Sequence, residues 1–133
     1  MPHLTLLYSP DLEGTAELPA LCRALADTLL AQRDPAGKAI FPTGGVRVLA
    51  YPAAYAAIAD GQGDYGFFYA NLRMGAGRTP ELHRQVGDAL LATLEQHLGA
   101  LLEQRPVGIT LQIDESPGQV YDGKRSSLHP LFR

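Results

Sequence analysis

A strand–helix–strand pattern written twice constrains this sequence more than any single residue does. His3 to Tyr8 (HLTLLY) is rich in β-formers and ends in the turn chemistry of Ser9-Pro10-Asp11. From Thr15, which suits an N-cap, Leu18, Leu21, Cys22, Leu25 and Leu29 recur at steps of three and four, predicting an amphipathic helix over Thr15–Gln32. Asp34-Pro35-Ala36-Gly37 reads as a loop, and Val46 to Tyr51 as a second strand stopped by Pro52. Ala53 to Ala59 reads as one or two helical turns or a packed loop, and Asp60 to Asp64 as a turn. The order then repeats. Tyr65 to Met74 predicts a third strand broken at Gly75-Ala76-Gly77. Leu82, Val86, Leu90, Leu94, Leu98 and Leu101 predict a longer helix over Thr79–Gln104, with Thr79 as N-cap and Pro80 at the first helical position. Arg105-Pro106 ends it, Val107 to Ile113 predicts a fourth strand, and the last twenty residues read as a tail.

Residue identities support the repeat. Thr15-Ala16-Glu17-Leu18 recurs 64 residues later as Thr79-Pro80-Glu81-Leu82, and Gly45-Val46-Arg47-Val48 recurs 63 residues later as Gly108-Ile109-Thr110-Leu111. His3–Tyr8 aligns with Phe67–Leu72 at nearly the same offset. The expectation is an α+β fold: a tandem β-α-β repeat, about 2–64 and 65–133, within one domain. Each unit takes parallel strands and a right-handed crossover helix, giving a four-stranded sheet with both helices on one face. Strand residues such as Leu4, Leu6, Phe67 and Tyr69 are apolar, so the other face needs cover that one chain cannot supply. An oligomer is expected.

Charge and composition exclude several classes of partner. Eleven Lys and Arg against fourteen Asp and Glu are dispersed along 133 residues, so there is no basic stripe for nucleic acid. The uncharged stretch Val48 to Ala59 is too short for a membrane span and contains Pro52. Met1-Pro2-His3 opens no secretory leader, so a soluble cytoplasmic chain is expected. Cys22, the single cysteine, reads as an apolar filler on a helix face.

The usual catalytic constellations are absent from the sequence. Gly44-Gly45 and Gly75-Ala76-Gly77 lack the spacing of a phosphate loop, and no serine sits in a nucleophile elbow. His3, His83, His97 and His129 are scattered without metal-ligand spacing, and His83 and His97 read as solvated positions of the long helix. Arg73, Arg84 and Arg105 read as surface charge. One residue stands out by position. Once Met1 is removed, Pro2 presents a secondary amine at the start of the first strand. A reference α-amino group titrates near ~7.7–8.0. Guanidinium neighbours and an apolar setting both disfavour its ammonium form, bringing it into the range of a general base at neutral pH.

Met1-Pro2-His3, Phe41-Pro42 with Gly45-Val46-Arg47, Ala59-Asp60-Gly61-Gln62-Gly63-Asp64-Tyr65-Gly66-Phe67, Gly75-Ala76-Gly77-Arg78 and His129-Pro130-Leu131-Phe132-Arg133 run in order from first residue to last. Together they resemble the 5-carboxymethyl-2-hydroxymuconate Δ-isomerase family of the tautomerase superfamily. The resemblance implies a cofactor-free, metal-free homotrimer in homoprotocatechuate breakdown, with an amino-terminal proline as acid–base catalyst. It implies as substrate a dienol bearing three carboxylates, with Pro2 catalytic and Arg47 and Arg78 both catalytic and substrate-binding. Arginine suits that task because it stays charged and grips planar anions bidentately. Arg78 also falls beside a helix N-terminus, which favours anions.

The sequence departs from the family pattern at the loop Gln32 to Lys38, which is longer than usual, and at Ser9-Pro10-Asp11-Leu12, where short tautomerases carry arginine. By the repeat offset Gly14 corresponds to Arg78, Thr110 to Arg47, and Tyr65 or Gly66 to Pro2, so one site per chain is expected. Two other readings share the scaffold: a different proline-based tautomerase, decarboxylase or hydratase of oxo-acids, and a non-catalytic trimeric binding protein.

Overall fold

The computed structural model describes residues 1–132; Arg133, the last residue of the tail, lies outside the described residues. Strands β1 (His3–Tyr8), β2 (Arg47–Pro52), β3 (Gly66–Gly75) and β4 (Val107–Ser116) form one sheet in the order β2-β1-β3-β4. β1 is parallel to β2, β3 is parallel to β4, and β1 and β3 pair antiparallel down the middle. Helices α1 (Leu18–Leu30) and α2 (Pro80–Gln104) complete the α+β architecture expected from the pattern.

Strand alternation sorts the core. Leu4, Leu6, Tyr8, Phe68, Ala70, Leu72 and Met74 are buried together with Leu21, Leu25 and Leu29 of α1 and Val86, Leu90, Leu94 and Leu98 of α2. Tyr8 stacks on Phe68 with ring centroids 5.7 Å apart, and its hydroxyl donates to Glu13. Burial and that bond push the Tyr8 phenol up to about 12. The helices also meet through a hydroxyl contact of 2.7 Å between Thr28 and Thr93. Among the described residues no helix is long and apolar enough to cross a membrane.

Local chemistry explains where the elements depart from expectation. Thr79 caps α2 as its sequence indicates, its Oγ1 accepting from Leu82 N at 3.2 Å. Thr15 does not cap α1. It belongs to a turn after the short 3-10 segment Pro10–Leu12, where Leu12 O accepts from Thr15 N and Ala16 N, and the helix starts later from Glu17, which has φ of 46°. Ala53–Ala59 forms no helix, since so short an uncapped run cannot repay nucleation. β4 continues past Ile113 to Ser116 because Asp114, Glu115 and Ser116 lie in register with Arg73, Met74 and Gly75. Asn71 Nδ2 adds a bond of 2.8 Å to Asp114.

The face of the sheet turned away from the helices is divided. Leu7, Leu49, Tyr51 and Phe67 remain 37–51% exposed at one end. Leu4 and Leu6, expected to help create an uncovered apolar face, lie on the helix side; Phe67 and Tyr69 lie on the open one. Towards the start of β1 the open face turns polar: Thr5, Asn71 and Gln112 share one row and His3, Arg73 and Asp114 the next, with Tyr69 OH reaching Gln112 at 2.8 Å.

Leu6 has no exposed surface and sits on a central strand under both helices. Leu6→Ala is expected to cost about 2–5 kcal/mol of unfolding free energy. Urea denaturation checks this, and a loss well below that range would contradict the packing described.

Candidate active site

Pro2 is placed by its neighbours on both sides of the chain. It is buried, and its carbonyl accepts from Arg47 N at 3.3 Å, extending the β1–β2 ladder by one residue towards the amino terminus. Met1 precedes it through a cis peptide bond, so with Met1 attached the proline nitrogen is an amide. Gly45 permits the close approach: a Cβ there would lie 3.0 Å from Met1 O. The Met1 ammonium is disfavoured by burial, then by Arg47 and Lys124, with Asp122 opposing, so its pKa is lowered. The environment at this terminus thus acts on an amine in the direction a general base requires.

Arg47 is brought against this terminus. Its Nη1 lies 3.3 Å from His3 Nε2 and donates to Gly45 O at 3.1 Å. Arg78 is anchored differently: Gly77, at φ of 100°, turns the chain out of β3, and Arg78 Nη2 donates to Ile40 O at 3.1 Å. Ile40 begins the segment running through Phe41-Pro42 to Gly45, which lies against Met1, so Arg78 is tied to the segment that borders the amino terminus. Among the described residues neither guanidinium has a carboxylate partner.

The carboxyl-terminal tail also arrives here. Its turn His129–Phe132 lies against Gly44, where a Cβ would be 3.1 Å from the His129 backbone, and Ser126 Oγ caps the turn by accepting from Leu128 N and His129 N. Leu128 and Phe132 share a groove with Leu30, Val46 and Arg47 of the same chain.

Four of the five motif segments therefore converge at one end of the sheet. The fifth, Ala59 to Phe67, does not: it leads into β3 opposite the far end of β1, where Asp60 Oδ1 accepts from Gln62 N and Tyr65 OH. Two charges, His83 and Arg105, behave unlike their sequence reading, while Arg73 stays exposed as read. His83 is half-buried, with Nε2 2.6 Å from Glu115 on the extended part of β4. Arg105 pairs with Asp11 and, at 3.1 Å, with Asp64. Arg73 stands across the sheet from His3. Only the register of the strands reveals these partners.

A β-α-β sheet that holds a proline at its first strand's amino end, with carboxylate-free arginines around it, defines a protein of the tautomerase type. Comparison narrows the class. The family model for 5-carboxymethyl-2-hydroxymuconate isomerase matches residues 2–132, and the chain belongs to that family. It is 32% identical to the 5-carboxymethyl-2-hydroxymuconate Delta-isomerase of Escherichia coli, over all of both chains. A crystal structure of a 5-carboxymethyl-2-hydroxymuconate delta-isomerase superposes with a TM-score of 0.95 at 48% identity, covering 100% of this chain and 93% of the other. A 5-carboxymethyl-2-hydroxymuconate isomerase from Deinococcus radiodurans R1 gives 0.86 at 35%, covering 99% and 94%. More distantly, a fused 4-OT that forms a symmetric trimer gives 0.50 at 26%, covering 97% and 98%.

His3 supplies a pH signature of this end of the sheet. Burial, the amino terminus, Arg47 and Arg73 all lower its pKa. The folded chain thus favours neutral imidazole, and the unfolded chain takes up the proton first as pH falls below ~6.5. The stability that neutral His3 contributes is present above that pH and is lost as pH falls towards the depressed folded value. Between about pH 7 and about pH 5, wild type is expected to lose more unfolding free energy than His3→Gln. Equal losses in denaturant titrations would remove His3 from the account.

Proposed function

We propose that Pro2, freed of Met1, is the acid–base catalyst that converts 5-carboxymethyl-2-hydroxymuconate to its oxo-ene tricarboxylate isomer, with Arg47 and Arg78 binding the substrate and assisting the reaction. The observation that carries this reading is the setting of the amino terminus: Pro2 is buried and paired to the Arg47 backbone, and burial and Arg47 disfavour the ammonium form of the Met1 amine beside it. Removal of Met1 transfers the free amine to Pro2, whose carbonyl is already tied to the Arg47 backbone.

The chemistry needs only a proton relay and fixed positive charge. Neutral Pro2 takes the proton of the dienol hydroxyl; the C–O bond becomes a carbonyl, the double bonds shift, and the prolinium returns a proton to carbon at the far end of the dienol. Negative charge on the dienolate oxygen is stabilised by a preorganised guanidinium, and the substrate carboxylates are anchored by the two arginines. No step calls for a metal or an organic cofactor. A tricarboxylate does not partition into a bilayer, and we read the enzyme as cytoplasmic. The tandem units, about 2–64 and 65–133, share one site per chain on this reading, because only the first begins with an amine.

We further propose a homotrimer. The apolar end of the open face supports it, since covering a few hundred Å2 of such surface at about 25 cal/mol per Å2 contributes several kcal/mol per subunit. Three two-unit chains supply six β-α-β units around a closed ring. Light scattering over a dilution series is expected to give the trimer mass throughout; a fully active monomer overturns the assembly.

Two further outcomes test the site. Protein lacking Met1, verified by intact mass, is expected to ketonise the dienol, and protein retaining Met1 to show little activity; equal rates would take the proline amine out of the reaction. Arg78→Ala and Arg47→Ala are each expected to lower kcat/KM at least tenfold to a hundredfold with unchanged circular dichroism, since a charge-assisted contact contributes about 1.5–3 kcal/mol and ~1.4 kcal/mol is tenfold in rate. Wild-type kinetics in either variant would return that arginine to the surface.

A further inference from the structure

Strand register lines up basic side chains that lie far apart in sequence. Arg47 on β2, His3 on β1 and Arg73 on β3 are direct neighbours in one row across the open face of the sheet. Arg47 Nη1 is 3.3 Å from His3 Nε2. Among the described residues Arg73 donates a side-chain bond only to the hydroxyl of buried Ser116, at 3.4 Å. The row continues to Asp114 on β4, yet that carboxylate accepts from Asn71 Nδ2 at 2.8 Å, and no ion pair joins it to Arg73 among the described residues. Arg47 and Arg73 flank His3 from the strands on either side, and, added to burial and the amino terminus, their charges together disfavour its protonated form. Such a row gains most from an anion laid across it.

The substrate of the proposed reaction offers one. It carries three carboxylates, whereas Arg47 and Arg78 are two cations, held in different surroundings and needed also for charge on the dienolate oxygen. We propose that Arg73 and His3 join Arg47 as a carboxylate-binding row that takes the third carboxylate and so selects tricarboxylate over dicarboxylate dienols. This inference rests on the isomerase reading. His3 follows Pro2 directly, so the row begins beside the reacting nitrogen. Arg73 supplies fixed charge, and His3 lends a donor whose protonation an anion favours. The apolar end of the same face begins at Leu49, one row from Arg47, and runs on to Leu7 and Tyr51, about 13 Å from His3 along β1; Arg73, two strands from Leu49, lies furthest from it.

Kinetics and anion titration together decide it. In protein lacking Met1, Arg73→Gln is expected to raise KM for the tricarboxylate dienol about tenfold while lowering kcat much less, the pattern of lost ground-state binding. Arg73→Lys is expected to recover part of the loss. Citrate is the probe for binding without turnover: it is expected to raise the His3 titration midpoint, followed by NMR, in wild type and not in Arg73→Gln. An unchanged KM in Arg73→Gln overturns the proposal. So does a His3 midpoint indifferent to citrate while Arg73→Gln weakens subunit association, which would make Arg73 an interface residue. If Met1-free wild type fails to isomerise the dienol but citrate still moves His3 through Arg73, the anion row stands and the isomerase reading falls.

Discussion

The rest of the molecule depends on the backbone pairing of β1. A chain terminus ordinarily frays, because its first residues have few partners. Here the third residue already lies between two strands, parallel to one and antiparallel to the other. Leu4 and Leu6 beneath it are buried by both helices, so the strand cannot leave without opening the core. Pro2 inherits that immobility, and on the proposed reading a terminal amine thereby acquires the fixed position that proton transfer to carbon demands.

Electrostatics follows the same geometry. The crossover through α1 returns the start of β2 to the end of the sheet where β1 begins, and β3, antiparallel to β1, ends there ahead of α2; each arrival delivers an arginine. Arg47 bonds Gly45 O and contacts His3, while Arg78 bonds Ile40 O. Backbone carbonyls orient these guanidiniums without neutralising them, which leaves their charge for a ligand. Arg105 shows the contrast: two carboxylates occupy it, and it works as a clamp between loops.

What the sequence could disclose was set by how local the cause was. Thr79 and Pro80 act within one helical turn, so the cap of α2 is legible; Thr15 carries the same chemistry, but its surroundings are claimed by Leu12 O. Leucine spacing exposes both helices because it reports one face of each. Pro2 is conspicuous by position alone. The partners of Arg73, His83 and Arg105 come from strands and loops dozens of residues away, and a shift of one residue in register would change them all. The extension of β4 over Asp114-Glu115-Ser116 was hidden for that reason: polar residues at a strand end look like a tail until their opposite strand is known.

A polypeptide has one amino terminus, however many β-α-β units it strings together. In the second unit the strand begins at Gly66, whose nitrogen lies within the chain and donates to Pro106 O at 2.9 Å. On the proposed reading the first unit, once Met1 is removed, offers its nitrogen for proton transfer, whereas the second has one consumed by a hydrogen bond. Joining two such units end to end therefore halves the number of amines that a given mass of protein can present. In exchange the second strand start escapes the requirement for proline, and its surroundings are free to take on purely architectural tasks. Asp11, Arg105 and Asp64 gather around that position. Covalent linkage thus separates the two halves into one that must keep its chemistry and one that needs only to keep its shape.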